Sequence, residues 1–361
     1  MKISLLTHRI HRRLGWVTDD ESTACLVVAL EAAGIDVAVH EVANRRDVES
    51  LITSAGPNTL FWGNVYDLPS GNGAPPFWLA DVFERAGVPY VGSDSVTLRT
   101  LIDKDVCQAR LAAAGLPVPR YVTLAREPLA CEPLAREPLA RASELIEAAE
   151  LTWPVFVKPA ATAGSAGIAP ESVQHTVAGA VSQSMRVLER FGGRVLVEEF
   201  LPGPELTLGV IRDREGGVVV ATRVDLHMEG GFLTEQNRRG DFARGATTMT
   251  RLDAVPYTDL ALEVCDTLDI RDVTRMDGRF DAAGTLKIFD VNGMPGLSPI
   301  HSCSVQQIYA VFPEVDRAEL HRRFVVSIVA SAAERYGLDV PEQVREQRLQ
   351  DLPRSQIIAD P

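Results

Sequence analysis

The chain has 361 residues, 46% of them hydrophobic and 24% charged, and a formal net charge of −13 at pH 7. That length is too great for one simple core and suits two or three lobes. The acidic balance argues against a duplex nucleic-acid partner, which asks for a basic face, and no apolar run reaches the ~18 residues of a membrane span.

Residues 2–7 predict a strand, since the start is too short and too soon followed by charge to be a signal peptide. A helix follows over 20–33, stopped by Gly34. Strands are predicted at 35–40 and 59–62, a helix over 77–86 ended by Gly87, and a strand at 89–91. This β-α-β alternation predicts an open, mostly parallel sheet over residues 1–98. Residues 99–115 predict a helix. Three copies of one pentapeptide then begin at Ala125, Ala130 and Ala135, each ending Glu-Pro-Leu. A proline every five residues forbids a continuous helix, so a surface loop is expected over 125–140. Beyond it come a helix at 141–150, a strand at 153–158 running into a small-residue loop, a helix over 172–191 and a strand at 194–200. Strands over 205–224 precede a polar loop at 228–247 and a helix at 256–268. Two strands joined at Ala282-Ala283-Gly284 follow, then an amphipathic helix over 315–336 and a polar tail after Leu338.

Five cysteines (Cys25, Cys107, Cys131, Cys265 and Cys303) are odd in number, scattered and without a C-x-x-C pair. They point to free thiols in a reducing cytoplasm rather than to disulfides or zinc. Only four of the 36 basic residues are lysines (Lys2, Lys104, Lys158 and Lys287), which draws attention to each.

The hairpin at 275–298 is the most informative stretch. Side chains alternate along a strand, so Arg275 and Asp277 share a face, as do Asp290 and Asn292. Two carboxylates and an amide oxygen beside an arginine suit Mg²⁺ with nucleotide phosphates; a solvated hairpin is the bland alternative. In the segment 154–168 a strand ends in Lys158, and a loop containing Gly164 and Ser165 follows. Small residues there let backbone N–H groups approach phosphate oxygens. The lysine precedes the glycines, unlike a P-loop, and an ordinary turn is an equal reading. The segment 197–205 runs a strand with Glu198 and Glu199 through Leu201 into Pro-Gly-Pro and Glu205, a shape that can present backbone groups to an adenine edge. Lys104 sits on a helix after Gly92-Ser93-Asp94, and His8 to Arg13 form a basic cluster at a strand's carboxyl end, where α/β sheets bind ligands.

In this order the motifs resemble the ATP-grasp superfamily and, within it, the D-alanine–D-alanine ligase family, over roughly residues 88–122 and 150–310. The resemblance implies an α/β ATP-grasp architecture: an N-terminal open parallel-sheet domain (1–98), a central α+β lid domain (99–196), a C-terminal α+β catalytic domain (197–338) and a polar tail (339–361). It implies that Lys104 and Lys158 contact ATP phosphates under the 160–168 loop. Glu198, Glu199 and Leu201 flank adenine, and Glu205 holds ribose. Asp277, Asp290 and Asn292 bind two Mg²⁺, with Mn²⁺ an admissible substitute, and Arg275 stabilises an oxyanion as the catalytic residue. Family members more often carry Glu where this chain has Asp290.

The substrate-facing parts depart from the family. Its glycine pair and Ser/Glu-rich turn are replaced by His8 to Arg13 and a Thr-Asp-Asp-Glu-Ser turn, in which Glu21 is a candidate for the amine. Its His-Gly segment is replaced by Trp62-Gly-Asn-Val-Tyr. Its Tyr-rich loop is replaced by 232–241, where Arg238 or Arg239 is a candidate cation. The segment after Gly296 is one residue longer, leaving His301 and Ser302 as candidates for a carboxylate. The expectation is a cytoplasmic ATP-dependent carboxylate–amine ligase that acts through an acyl phosphate on amino-acid-like substrates and releases ADP and phosphate. Specialised metabolism and a homodimer are compatible with it. Cell-wall D-alanine–D-alanine synthesis, intramolecular ring closure and non-catalytic ATP binding are the alternatives.

Overall fold

A computed structural model describes residues 1–8, 20–70, 74–125, 137–213, 216–236 and 247–352. The chain begins with β1 (Lys2–Thr7), α1 (Asp20–Ala32), β2 (Asp36–Glu41), α2 (Arg45–Ser54) and β3 (Thr59–Gly63), whose strands form a parallel sheet in the order β2-β1-β3. The expected strand at 89–91 is a single parallel bridge from Tyr90 to Phe61 at the sheet's edge. Helix α2 was not anticipated, although its capping box is legible: Asn44 Oδ1 accepts the Asp47 N–H at 3.2 Å, and Asp47 Oδ2 accepts the Asn44 N–H at 3.2 Å.

The helix expected from residue 77 starts later. A short hairpin of β4 (Asp67–Leu68) and β5 (Phe77–Trp78) precedes α3 (Leu79–Ala86), which ends at Gly87 in the left-handed region. The single helix expected over 99–115 is two, α4 (Ser95–Ile102) and α5 (Lys104–Ala113), broken at Asp103. Asp94 starts α4 by accepting the Thr97 N–H at 2.8 Å. The break frees the Lys104 N–H to donate to Ala160 O at 2.9 Å, which ties the start of α5 to the small-residue loop.

A second, antiparallel sheet has the order β6-β9-β7-β8, from β6 (Tyr121–Ala125), β7 (Val155–Pro159), β8 (Val173–Gln174) and β9 (Arg194–Glu199). Helices α6 (Glu137–Ala148) and α7 (Val177–Phe191) cover it over a core that includes Leu124, Ile146, Val157, Val181, Leu188 and Val197. Most of the pentapeptide repeat lies outside the described residues. Residues 137–139 of its third copy, expected to be loop, instead open α6: Pro138 falls in the first turn, where a missing N–H and a fixed φ are tolerated. β9 runs across the anticipated domain boundary at 196/197 and pairs along its length with β6 and β7.

The third sheet is antiparallel with the order β12-β11-β10-β13-β14, from β10 (Glu205–Ile211), β11 (Val218–Leu226), β12 (Thr247–Leu252), β13 (Val273–Phe280) and β14 (Leu286–Asn292). α5 and α8 (Val255–Thr267) share a core with it through Leu111, Val264, Met276 and Ile288. α9 (Cys303–Val311) and α10 (Arg317–Arg335) share another, which also takes in Leu26 and Leu30 of α1, so α10 is common to the first and third sheets.

The polar tail expected after Leu338 is packed as far as residue 352. α11 (Glu342–Arg345) and its flanks bury Val340, Val344, Leu349 and Leu352 in that shared core. Four apolar residues among many charges were too sparse to register as a helix face. A buried carboxylate fastens the lobes: Asp272 meets Arg335 at 2.8 Å, accepts the Gly92 N–H at 2.6 Å and is 1% exposed.

Candidate functional site

The site lies where β13 and β14 meet α5 and the second sheet. Antiparallel register sets Arg275 opposite Asn292 and Asp277 opposite Asp290, so alternation brings all four onto one face. Arg275 donates to Asp277 Oδ2 at 2.9 Å, and Asn292 Nδ2 lies 3.3 Å from both Asp277 Oδ2 and Asp290 Oδ2. Thr207, across the sheet on β10, donates its hydroxyl to Asp277 Oδ1 at 2.6 Å. From α5, Lys104 Nζ reaches Asp290 Oδ1 at 2.7 Å and Thr162 O at 3.1 Å.

These pairs fix the charges. Burial alone raises the Asp290 carboxyl, but Lys104, Lys158 and Arg275 outweigh it and hold it below its ordinary value. Burial opposes the charge on Arg275, and Asp277 more than restores it, so this guanidinium stays cationic.

Among the described residues no cluster of three or more His, Cys, Asp or Glu forms a metal cage. Two carboxylates and one amide oxygen are the donors here. They suit a hard cation such as Mg²⁺ that keeps waters and takes phosphate oxygens for the rest of its shell. Asn292 directs Nδ2 at both carboxylates, so offering Oδ1 to a cation between them requires a half-turn of the amide.

A β-bulge sits beside this face. The pairing steps from Asp277–Asp290 to Gly278–Ile288 and leaves Phe289 without a partner. Its free carbonyl faces Lys158 Nζ at 3.3 Å and Gln108 Nε2 at 3.4 Å. Lys158 pairs with Glu198 at 2.5 Å, both nearly fully buried, and lies 5.3 Å from the centroid of the Phe289 ring. Glu198 and Glu199 point to opposite faces of β9. Glu199 accepts the Thr152 N–H at 2.8 Å and faces Arg120, so its carboxylate stays away from Lys158. Leu201 is buried.

Glu205 pairs with Arg279 at 3.0 Å, the residue opposite it in register. Burial pushes its carboxyl up to about 7, with Asp277 acting in the same direction and Arg279 opposing. Arg279 also lies over the Phe200 ring and donates to Gly231 O. Phe156 stands between Phe200 and Phe232, with centroids 6.4 and 5.2 Å away, giving the cleft an aromatic flank.

In the small-residue loop, Gly164 and Ser165 both have left-handed backbone, at φ 71° and 55°. The loop is held on its other side by Glu235, which accepts the Gly167 N–H at 3.0 Å and an Arg190 N–H at 2.7 Å.

The candidates for the substrate side are less gathered. Glu21 is exposed at the start of α1, and among the described residues it makes no hydrogen bond to the cluster. His301 is exposed, whereas Ser302 is buried and spends its hydroxyl on Gly296 O. Arg238 and Arg239 lie outside the described residues, as do Arg9 to Arg13; His8 is buried at the carboxyl end of β1.

Sequence reasoning missed Thr207, Arg279, Gln108, Glu235 and Tyr66. Arg279 follows from the alternation that paired Arg275 with Asp277, and Gln108 stands one helical turn after Lys104. Tyr66, whose hydroxyl accepts the Met294 N–H at 3.1 Å, carried no local signal. It joins the Trp62–Tyr66 segment of the first lobe to the turn after Asn292.

Residues 111–308 match the family model described as D-ala D-ala ligase C-terminus. The chain is 29% identical over 299 residues to the D-alanine–D-alanine ligase of Gluconobacter oxydans, covering 80% of this chain and 88% of that protein. It is 29% identical over 287 residues to that of Granulibacter bethesdensis, covering 76% and 82%. Two solved structures share its fold: the D-alanine–D-alanine ligase of Bacillus anthracis complexed with ATP, with a TM-score of 0.63 and 15% identity over 93% of this chain and 99% of that one; and the VanG D-Ala:D-Ser ligase of Enterococcus faecalis, with a TM-score of 0.64 and 18% identity over 92% and 99%.

Proposed function

The chain belongs to the D-ala D-ala ligase C-terminal family, whose members are ATP-grasp enzymes forming C–N bonds, and from that premise we propose an ATP-dependent carboxylate–amine ligase that joins amino acids or amino-acid-like substrates through an acyl phosphate. The observation that carries this reading is the shared face of Arg275, Asp277, Asp290 and Asn292, met by Lys104 at 2.7 Å from another element. It gathers cations where phosphoryl charge develops and hard oxygens where a phosphate-bound cation sits.

In the first step a substrate carboxylate oxygen attacks the γ-phosphorus, the β–γ bridging P–O bond breaks and ADP leaves. Lys104 and Lys158 keep unused N–H donors for the phosphate oxygens, since each ammonium has three. Asp277, Asp290 and Asn292 would hold Mg²⁺, two ions in this reading, and bound Mg²⁺ would neutralise phosphoryl charge. In the second step an amine nitrogen attacks the acyl carbon, the C–O bond to phosphate breaks, and phosphate departs with the amine's proton passing to it or to solvent. Arg275, pinned by Asp277, faces the oxyanion. The loop at 160–168 excludes water while the acyl phosphate exists. Glu205 takes ribose hydroxyls, and Glu198, Glu199 and Leu201 line the adenine side, Glu199 through its backbone.

The chain divides in this account by its sheets, with the second lobe extending to the end of β9. The free thiols of Cys107 and Cys265 support a cytoplasmic setting, and among the described residues no helix is long and apolar enough to cross a membrane.

The divergent first-lobe segments favour a substrate pair other than two D-alanines, in specialised metabolism. A second reading, D-alanine–D-alanine ligation, is favoured by the names of the relatives in Gluconobacter and Granulibacter. Incubation with ATP, Mg²⁺ and pooled D- and L-amino acids, followed by mass analysis, tests both. A hetero-dipeptide with ADP supports the first and D-alanyl-D-alanine the second; AMP and pyrophosphate as products contradict both.

A further inference from the structure

Gln108 is 2% exposed and lies behind the nucleotide face rather than on it. Its Nε2 donates to Glu198 Oε2 at 2.9 Å and approaches Phe289 O at 3.4 Å. Lys158 binds the other oxygen of the same carboxylate, Oε1, at 2.5 Å and the same carbonyl at 3.3 Å. Two donors and two acceptors thus close a buried polar ring, for which the bulge at Phe289 supplies one corner.

The Gln108 side chain is not there for stability alone. Its Oε1 is buried and has no hydrogen-bond donor. The void that Gln108 lines, walled by Leu101, Cys107, Leu111, Ile288 and Val291, has no room for a water. Turning the amide over would set Oε1 against the Glu198 carboxylate, so the orphaned oxygen follows from giving Nε2 to Glu198. An unpaired buried acceptor destabilises the fold; an apolar side chain of the same length would remove that cost but would also leave Glu198 Oε2 without its donor.

We propose that Gln108 is a positioning residue for Lys158, acting through Glu198. With both carboxylate oxygens fastened, Glu198 cannot rotate, and two of the three ammonium donors of Lys158 are committed to Glu198 and Phe289. The third is then fixed in direction, toward the nucleotide. This rests on the ATP-binding role of Lys158 proposed above.

Gln108→Met tests it, with ATP affinity read by calorimetry, ATP KM and kcat by ADP release, and stability by thermal melting. The expected result is ATP affinity weaker by about tenfold as Lys158 loses its fixed direction, with a matching rise in KM, kcat nearly unchanged and a melting temperature at most modestly below wild type, because Glu198 loses a donor while the orphaned oxygen is removed. Gln108→Glu, which keeps the shape but sets a second carboxylate against Glu198, should weaken ATP at least as much. In a Lys158→Met, Glu198→Met background, which leaves no unpaired buried charge, Gln108→Met should add no further loss. Wild-type ATP affinity in both Gln108 variants overturns the proposal, as does a full additional loss when Lys158 is already absent. A folded wild type that binds no ATP overturns the ligase reading instead.

Discussion

Lys104 Nζ stands 2.7 Å from Asp290 Oδ1, so the first residue of one helix pairs with a carboxylate on the edge strand of the sheet that helix packs on. The break between α4 and α5 at Asp103 allows this, because it opens a new helix at Lys104, whose N–H meets Ala160 O and whose side chain reaches Thr162 O. Asp290→Asn should therefore lower kcat by ~100-fold or more, in the range of other losses of transition-state charge stabilisation. It should also raise the Mg²⁺ needed for half-maximal rate. Asp290→Glu should stay within about tenfold of wild type, a difference of ~1.4 kcal/mol. Titration of the rate against Mg²⁺ checks both.

The Lys158–Glu198 pair is buried on both sides. Glu198→Ala leaves an unpaired cation inside and should destabilise the fold by ~3–5 kcal/mol. Replacing both residues by methionine should recover most of that stability while ATP affinity stays reduced. Denaturant midpoints of the single and double variants separate the two effects. Equal instability in both would mean that packing, and not charge, is at issue.

Glu205 gives a pH signature. Its carboxyl titrates near 7 in the fold, against an ordinary value of 4.5. Only the ionised form accepts two hydroxyl hydrogen bonds freely, so ATP KM should fall as pH rises through about 7, and Glu205→Gln should flatten that dependence. Stability runs the other way. The folded state holds this proton more tightly than the unfolded state, so the contribution is favourable at low pH and is lost as pH climbs from 4.5 toward 7. Melting curves of wild type and Glu205→Gln across pH 4–8 show the difference.

Asp272 is a structural counterpart away from the chemistry. It has left-handed backbone, at φ 60°, and holds Arg335, Gly92 and Ser331 together. Asn tolerates that backbone, so Asp272→Asn isolates the charge. It should cost ~2–4 kcal/mol by leaving Arg335 without its partner and leave ATP KM unchanged. A shifted KM with normal stability would contradict this division of roles.

The hairpin was legible in part because a strand's two-residue period is rigid: 275 and 277 share a face, as do 290 and 292; that the two pairs meet on one face depends on the bulge at Phe289, which sequence alone does not show. The same rule reaches Arg279, which went unread because a lone arginine beside Phe280 looks like a solvated edge. The orientation of Glu199 away from Lys158 also follows from alternation, yet adjacent glutamates invite a joint role. Contacts made across lobes had no local trace. Tyr66 and Met294 meet through a tertiary approach that neither neighbourhood encodes. The α4–α5 break was hidden because Asp103 and Lys104 are compatible with a continuous helix. The tail to 352 was misread because its few apolar residues pack against α1 and α10 rather than against each other.

The most direct test of the acyl-phosphate account is oxygen transfer. With the carboxylate of the accepted amino acid labelled in both oxygens by ¹⁸O, ATP turnover with Mg²⁺ and the amine partner should release inorganic phosphate carrying one ¹⁸O per amide formed, because the attacking carboxylate oxygen leaves with the phosphate. Unlabelled phosphate alongside amide, or label recovered in AMP, would contradict the account.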